Sequence, residues 1–151
     1  MQKMHFEITI HGSPRDVWNA IVDPQKYRQW TRAFHEGSCF EGGWEEGDSI
    51  RFLTTNQEGE KEGMIAEIAK SKKYSFISIK HLGYISGGKE DTSSEKVKQW
   101  APAYENYTFT QIEDNTKFEV DTDVEDDYVE MFNELWPKAL KKLKETVEDK
   151  P

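Results

Sequence analysis

The chain has 151 residues, enough for one domain with its own hydrophobic core. Its formal net charge of -9 disfavours nucleic acid and anionic membrane surfaces as partners. The single cysteine, Cys39, excludes an internal disulfide and a cysteine-based zinc site. A mean hydropathy of -0.88 and a start without an apolar leader argue against membrane insertion and secretion, so we expect a cytoplasmic protein.

The N-terminal third predicts a strand followed by two short helices. Apolar and polar residues alternate over 5–11, which is typical of a half-buried strand. Ser13-Pro14 is a typical N-cap and first helical residue, and Asp23-Pro24 repeats the same pair. Residues 34–47 are rich in glycine and predict turns around one short strand rather than a phosphate-binding loop.

The middle of the chain predicts an antiparallel meander of three strands joined by polar turns. The first strand covers 50–55, and the second carries Met64 on its apolar parity. We expect a turn at 70–73 and a third strand over 74–82, which is rich in β-branched and aromatic residues. Its inward parity stays open, because Phe76 competes with the isoleucines that follow it.

Residues 83–98 are the least regular part and predict an exposed loop. Within it, Thr92 or Ser93 is expected to cap a short helix. Two further strands should follow, joined by a hairpin turn at 113–115.

A long amphipathic helix closes the sequence. It should begin near Asp127, which forms a capping-box-like pair with Glu130. Pro137 lies inside the apolar stripe and would clash with the carbonyl of Asn133, so we predict a kinked helix rather than two helices. Grouped strands with segregated helices predict an α+β fold with an antiparallel sheet covered on one face and a cavity beneath the helix.

Short motifs are spread over nearly the whole chain. They are Ser13–Trp18, Tyr27, Trp30, Trp44–Gly47, Ile50–Phe52, Trp100, Glu105–Phe109, Asn115–Thr116 and Leu135–Leu140. In this order they resemble the SRPBCC, or START-like (Bet v 1-like), superfamily, and most closely its branch of activator-of-Hsp90-ATPase homologues. The resemblance implies one domain over residues 1–151 with a helix-grip fold, in which a curved antiparallel sheet wraps a C-terminal helix kinked near Pro137. The superfamily includes lipid carriers, hormone receptors, cyclases and co-chaperone domains, so its fold does not fix one function.

Catalytic and metal-binding motifs are absent from the sequence. The histidines never fall at the HxxxH or HExxH spacing, and we expect neither a metal nor a cofactor. Cys39 and His35 form the only local nucleophile–base pair, but no helix N-terminus follows to activate the thiol.

Glu105 is the weak candidate for a catalytic residue. It shares strand parity with Tyr107, so an inward face would bring its carboxylate into a low-dielectric space as a general base or polar anchor. The structural alternative, which we favour, is that Glu105 pairs with Arg51, Lys80 or a hydroxyl near the sheet end.

We therefore interpret the chain first as a carrier or sensor for a small apolar or amphipathic molecule. The predicted cavity lining, each member of which could equally be plain core, is Trp18, Trp30, Phe34, Phe52, Met64, Phe76, Glu105, Tyr107, Phe132 and Trp136. A chaperone-interacting module, as the branch name suggests, is the second interpretation. The third is an enzyme of the cyclase or hydrolase kind with Glu105 as base, which ranks below binding.

Overall fold

The computed structural model describes residues 1–149, in which an eight-stranded antiparallel sheet curves around a long C-terminal helix. The elements in chain order are β1 (Gln2–His11), α1 (Pro14–Val22), α2 (Pro24–Thr31), β2 (Cys39–Gly42), β3 (Ser49–Thr55), β4 (Lys61–Lys72), β5 (Phe76–Ser86), β6 (Lys89–Asp91), α3 (Glu95–Lys98), β7 (Ala103–Ile112), β8 (Asn115–Val124) and α4 (Val129–Glu148). The strand order is β1-β8-β7-β5-β4-β3-β2, and β6 pairs with β5. This architecture confirms the predicted α+β helix-grip fold. Within the described residues, no helix is both long and apolar enough to cross a membrane.

Helices α1 and α2 begin at the predicted caps. The Ser13 hydroxyl accepts a hydrogen bond from the Asp16 amide at 3.1 Å, and the Asp16 carboxylate accepts one from the Ser13 amide at 3.4 Å. Asp23 ends α1 and caps α2, where its carboxylate accepts the Lys26 amide at 2.9 Å. The reciprocal bonds satisfy backbone donors that would otherwise lack partners in the first turns.

The inward parity of β5 follows from its pairing with β7. Ile77 lies opposite Tyr107, and Ile79 lies opposite Glu105. The isoleucines therefore join the core beneath α4, and both are fully buried. Phe76 has the opposite parity, so its side chain points to the other face of the sheet.

The bounds predicted for the β4–β5 turn are wrong. β4 continues to Lys72, and the turn occupies residues 73–75 rather than 70–73. Tyr74 therefore lies in the turn with a φ of 67°, and its ring packs against Trp18 at a centroid distance of 5.9 Å. This contact joins the turn to α1. The alternation of apolar and polar residues along the sequence could not predict it.

Residues 83–98 are also more regular than predicted. β5 continues to Ser86 and pairs there with β6, so Gly83 lies inside a strand. A Cβ at Gly83 would lie 2.1 Å from the Asp91 carbonyl oxygen, so glycine permits this close approach of the two segments. The short helix α3 is capped by Ser94, whose hydroxyl accepts the Val97 amide at 3.2 Å, rather than by the residues predicted.

Helix α4 is continuous through Pro137. The capping box predicted at its start is wrong, because a 3-10 turn over Asp126–Tyr128 leads into the helix and no side chain caps it. Pro137 and Asn133 are both on the exposed side of the helix, where water can satisfy the carbonyl that lost its partner. The bend at Pro137 stays a prediction.

Candidate functional site

A cavity of about 600 Å³ lies between the sheet and the N-terminal half of α4. This volume falls within the range of small-molecule sites. Met1, Tyr128 and Met131 line it and are exposed, so they mark its opening. A second hollow of about 400 Å³, lined mostly by polar surface side chains such as Asn19 and Gln29, lacks such apolar walls.

Most of the side chains predicted as a cavity lining do line this cavity. They are Trp30, Phe34, Phe52, Met64, Glu105, Tyr107, Phe132 and Trp136. Trp18 lies in the packed core instead, because α1 brings it against Phe109 with ring centroids 5.4 Å apart. Phe76 lies on the opposite face of the sheet, as its register requires.

Aromatic rings form much of the cavity wall. Trp136 on α4 packs against Phe34 at 4.8 Å and Trp30 at 6.3 Å between ring centroids. Tyr27 of α2 stacks on Phe52 of β3 at 6.2 Å between ring centroids. These edge and stacked contacts hold the rings in place, because each ring restricts the rotation of the next.

Polar groups converge on Glu105 in the same cavity. The Glu105 carboxylate oxygen Oε1 lies 3.0 Å from His81 Nε2, and the Tyr107 hydroxyl donates to Oε2. Both side chains of this contact are largely buried, with 11% of the His81 side chain and 18% of the Glu105 side chain exposed. One carboxylate thus holds the two donors in a mostly aromatic surrounding.

The proton positions in this cluster follow from burial. Burial, together with the charge of Glu105, raises the pKa of Tyr107 well above its ordinary value, so its hydroxyl keeps its proton and donates. His81 Nδ1 is buried without a hydrogen-bond partner within residues 1–149. Nε2 therefore makes the hydrogen bond of this ring, to Glu105.

Tyr27 is a further polar group of the cavity. Burial raises its pKa, and the charge of Glu105 adds to the effect, which indicates that the two side chains share one low-dielectric space. Chemically, the cluster can accept hydrogen bonds from a ligand or take a proton at Glu105.

His81 and Tyr27 are two of the lining residues that sequence reasoning did not place in the site. Arg51, one partner considered for Glu105, pairs with Glu90 at 2.7 Å instead. A hydroxyl partner does exist, but it comes from Tyr107 on the same strand. The alternation Ile77, Ile79, His81 in β5 was the available signal, and it required knowing which parity faces inward.

Cys39 and His35 do not form a catalytic pair. The Cys39 side chain packs against a small apolar cluster of Leu53, Ile65 and Ile85. His35 is exposed and donates through Nδ1 to the Glu36 carbonyl at 2.7 Å. Neither group has the contact that would activate a thiol.

One group of side chains in the described chain could hold a metal ion: His5, Glu7 and Glu119. They lie on the exposed parity of β1 and β8. His5 Nδ1 already lies 2.7 Å from an Asp121 oxygen, and the Lys117 ammonium lies 3.3 Å from Glu7. The hydrogen bonds that His5 donates to the carboxylates of Asp121 and Glu7 raise the pKa of His5, which favours an imidazolium over a metal ligand.

Comparison with known proteins identifies relatives of this fold. A family model described as "Activator of Hsp90 ATPase homolog 1-like protein" matches residues 11–148. A protein from Nitrosomonas europaea superposes with a TM-score of 0.73 at 10% identity, covering 97% of this chain and 94% of that one. The Aha1 dimer from Colwellia psychrerythraea gives 0.71 at 16%, covering 98% and 97%.

DynU16, from the dynemicin biosynthetic locus, gives a TM-score of 0.70 at 15% identity, covering 98% of this chain and 48% of DynU16. The comparison with curated proteins gave no match. At these identities the solved structures support the fold alone.

Proposed function

The chain belongs to the family of Activator of Hsp90 ATPase homolog 1-like proteins, and we propose that it binds a small hydrophobic or amphipathic molecule in the cavity beneath α4. The observation that carries this proposal is the combination of an aromatic wall with a single cluster of converging polar groups around Glu105. Apolar walls supply affinity, and a few fixed polar groups supply orientation.

The incomplete burial of the wall supports the proposal. Phe34, Phe52 and Phe132 pack against the core but remain only half-buried. A bound apolar molecule would remove their remaining surface from water, at about 25 cal/mol for each Å² covered. Folding alone leaves part of these three rings in contact with water, and a bound molecule would cover that remaining surface.

The tryptophans provide an internal test by NMR. Trp30 and Trp136 line the cavity, whereas Trp18 lies in the packed core. Titration with decanol below its solubility limit should shift the indole N–H signals of Trp30 and Trp136 and leave that of Trp18 in place. Equal shifts of all three, or shifts confined to surface amides, would contradict binding in the cavity.

A cavity-filling variant sharpens this test. Met64 lines the cavity and is half-buried, so Met64→Trp should occupy part of the hollow and weaken decanol binding about tenfold or more. Ile112 is 46% exposed in the β7–β8 hairpin, so Ile112→Trp is the matched control and should bind decanol as the original chain does. Equal binding by both variants would place decanol elsewhere.

A chaperone-interacting role is a second candidate, supported by the family description and by the printed name of the Aha1 relative. A pull-down with an Hsp90-type chaperone and a measurement of its ATPase rate test it directly. Co-purification with a changed rate would support this role. The absence of both effects would remove it without touching the cavity proposal.

A further inference from the structure

Glu105 has unused capacity to accept hydrogen bonds. A carboxylate offers about four lone-pair sites. His81 occupies one at Oε1, and Tyr107 occupies one at Oε2. Because the side chain lines the cavity and keeps 18% of its surface, a ligand donor can reach the remaining sites.

No lysine or arginine among residues 1–149 pairs with the Glu105 carboxylate. His81 is its one partner among the basic side chains of those residues. Tyr107 contributes a neutral hydroxyl. A carboxylate so placed, away from bulk water, interacts strongly with any cation that reaches it, because little solvent screens the pair.

Aromatic rings surround this carboxylate. The Phe52 ring lies 5.9 Å from the His81 ring, and Trp136 lies 6.3 Å from Tyr107, between centroids. Tyr27 stacks on Phe52. The faces of such rings attract cations, and Trp and Tyr do so more strongly than Phe. The walls and the acid therefore favour the same kind of ligand group.

The charges lining the rest of the cavity point the same way. Glu62, Asp123 and Glu125 also line it, as does Lys96, and the Asp123 carboxylate is paired with Lys3 at 3.1 Å. The N-terminal ammonium of Met1 is held by Asp126 at 3.3 Å. With a formal net charge of -9 over the whole chain, the field at the opening draws in cations and repels carboxylates and phosphates.

Resting on the proposed function, we propose that the bound molecule is a cationic amphiphile. Its apolar body lies along the aromatic wall of α2 and α4, and its ammonium group donates to Glu105. Anionic lipids and fatty acids are the class that this cavity rejects.

Three probes of equal chain length test the ligand class: decylamine, decanol and decanoate, each below micelle formation at pH 7. We expect decylamine to bind about tenfold more tightly than decanol, as one charge-assisted hydrogen bond provides, and decanoate to bind most weakly. Shifts of the Trp30 and Trp136 indole signals measure binding inside the cavity. If none of the three probes shifts these signals, the proposed function fails. If decanol or decanoate binds as tightly as decylamine, the cation inference alone is overturned.

Two variants test whether Glu105 causes the preference for decylamine over decanol. Glu105→Gln should remove the preference, so that decylamine binds no more tightly than decanol to the same variant. Glu134 lies on the surface of α4 with 70% of its side chain exposed, so Glu134→Gln removes the same charge away from the cavity and should keep the preference. A preference that survives Glu105→Gln would overturn the inference. The comparison of probes on the unaltered chain decides it even if Glu105→Gln does not fold.

Discussion

The two halves of α4 lie on the same sheet but meet it differently. In the C-terminal half, Leu140, Leu143 and Val147 are buried and close the core completely. In the N-terminal half, Phe132 and Leu135 are half-buried along the cavity. One apolar stripe therefore serves both as a core seam and as a cavity wall.

The contacts at each end explain the difference. At the packed end the chain approaches the helix closely at Gly12, where an added Cβ would lie 2.9 Å from Val147 Cγ1. At the cavity end large rings such as Phe34 and Trp136 meet edge to face and act as walls. A hollow persists where bulky rings support one another around a space, and it closes where small residues permit contact.

The largest expected effect is on stability, from equivalent truncations in the two halves. Leu143→Ala should lower the free energy of unfolding by about 2–5 kcal/mol, because it opens a void in a fully packed region. Leu135→Ala makes the same chemical change on a half-buried side chain at the cavity, so it should cost less than half as much. Urea denaturation followed by circular dichroism measures both.

Decanol affinity of the same two variants provides a second comparison between the two halves of α4. Leu135→Ala alters the cavity wall and should change decanol affinity, whereas the folded fraction of Leu143→Ala should bind as before. Equal losses of stability in the two variants would contradict the division of α4 into a core half and a wall half.

The next effect is a loss of stability at alkaline pH, which we expect to arise from two tyrosines at the cavity end. Burial raises the pKa of both Tyr107 and Tyr27, so the folded chain keeps protons that the unfolded chain releases above about pH 10. The free energy of unfolding should therefore fall by about 1.4 kcal/mol per pH unit for each tyrosine above that pH. Phenolate absorbance of these residues should appear together with loss of near-ultraviolet circular dichroism.

Tyr27→Phe and Tyr107→Phe check the assignment. Above about pH 10, each substitution should make the free energy of unfolding fall less steeply with pH, by about 1.4 kcal/mol per pH unit. An unchanged slope in both variants would show that alkaline unfolding begins elsewhere in the chain.

The smallest effect belongs to the packed end. Glu148 accepts the His11 amide at 2.8 Å and the Lys144 ammonium at 2.5 Å, which ties the end of α4 to β1. The Lys144 hydrogen bond, followed by that of His11, lowers the pKa of Glu148. Its stabilisation is therefore present above the unfolded-state pKa of about 4.3 and is lost as the pH falls through the lower folded-state pKa.

Glu148→Gln should consequently reduce the free energy of unfolding at pH 7 by less than about 1 kcal/mol, and the difference should disappear at strongly acid pH. Glu145→Gln is the matched control, because Glu145 pairs with Lys142 at 3.7 Å on the surface and its side chain holds no β1 amide. Thermal melts of both variants at the two pH values measure the effect. A larger loss for Glu145→Gln would contradict the role of the β1 contact.

The sequence by itself determined the elements whose signals are local. The caps at Ser13 and Asp23 and the alternation of β1 could be predicted, because each depends on neighbours within a few residues. The order of elements and the motifs also led to the right family and fold.

Tertiary structure alone decided which parity faced inward and which rings surrounded a space. Glu105 could be singled out from its own strand, but its partner His81 comes from β5 and is brought near by sheet register. Trp18 and Trp136 look alike as helix-face tryptophans, yet one packs in the core and the other lines the cavity. Burial depends on what lies opposite a side chain in space, and no local pattern contains that information.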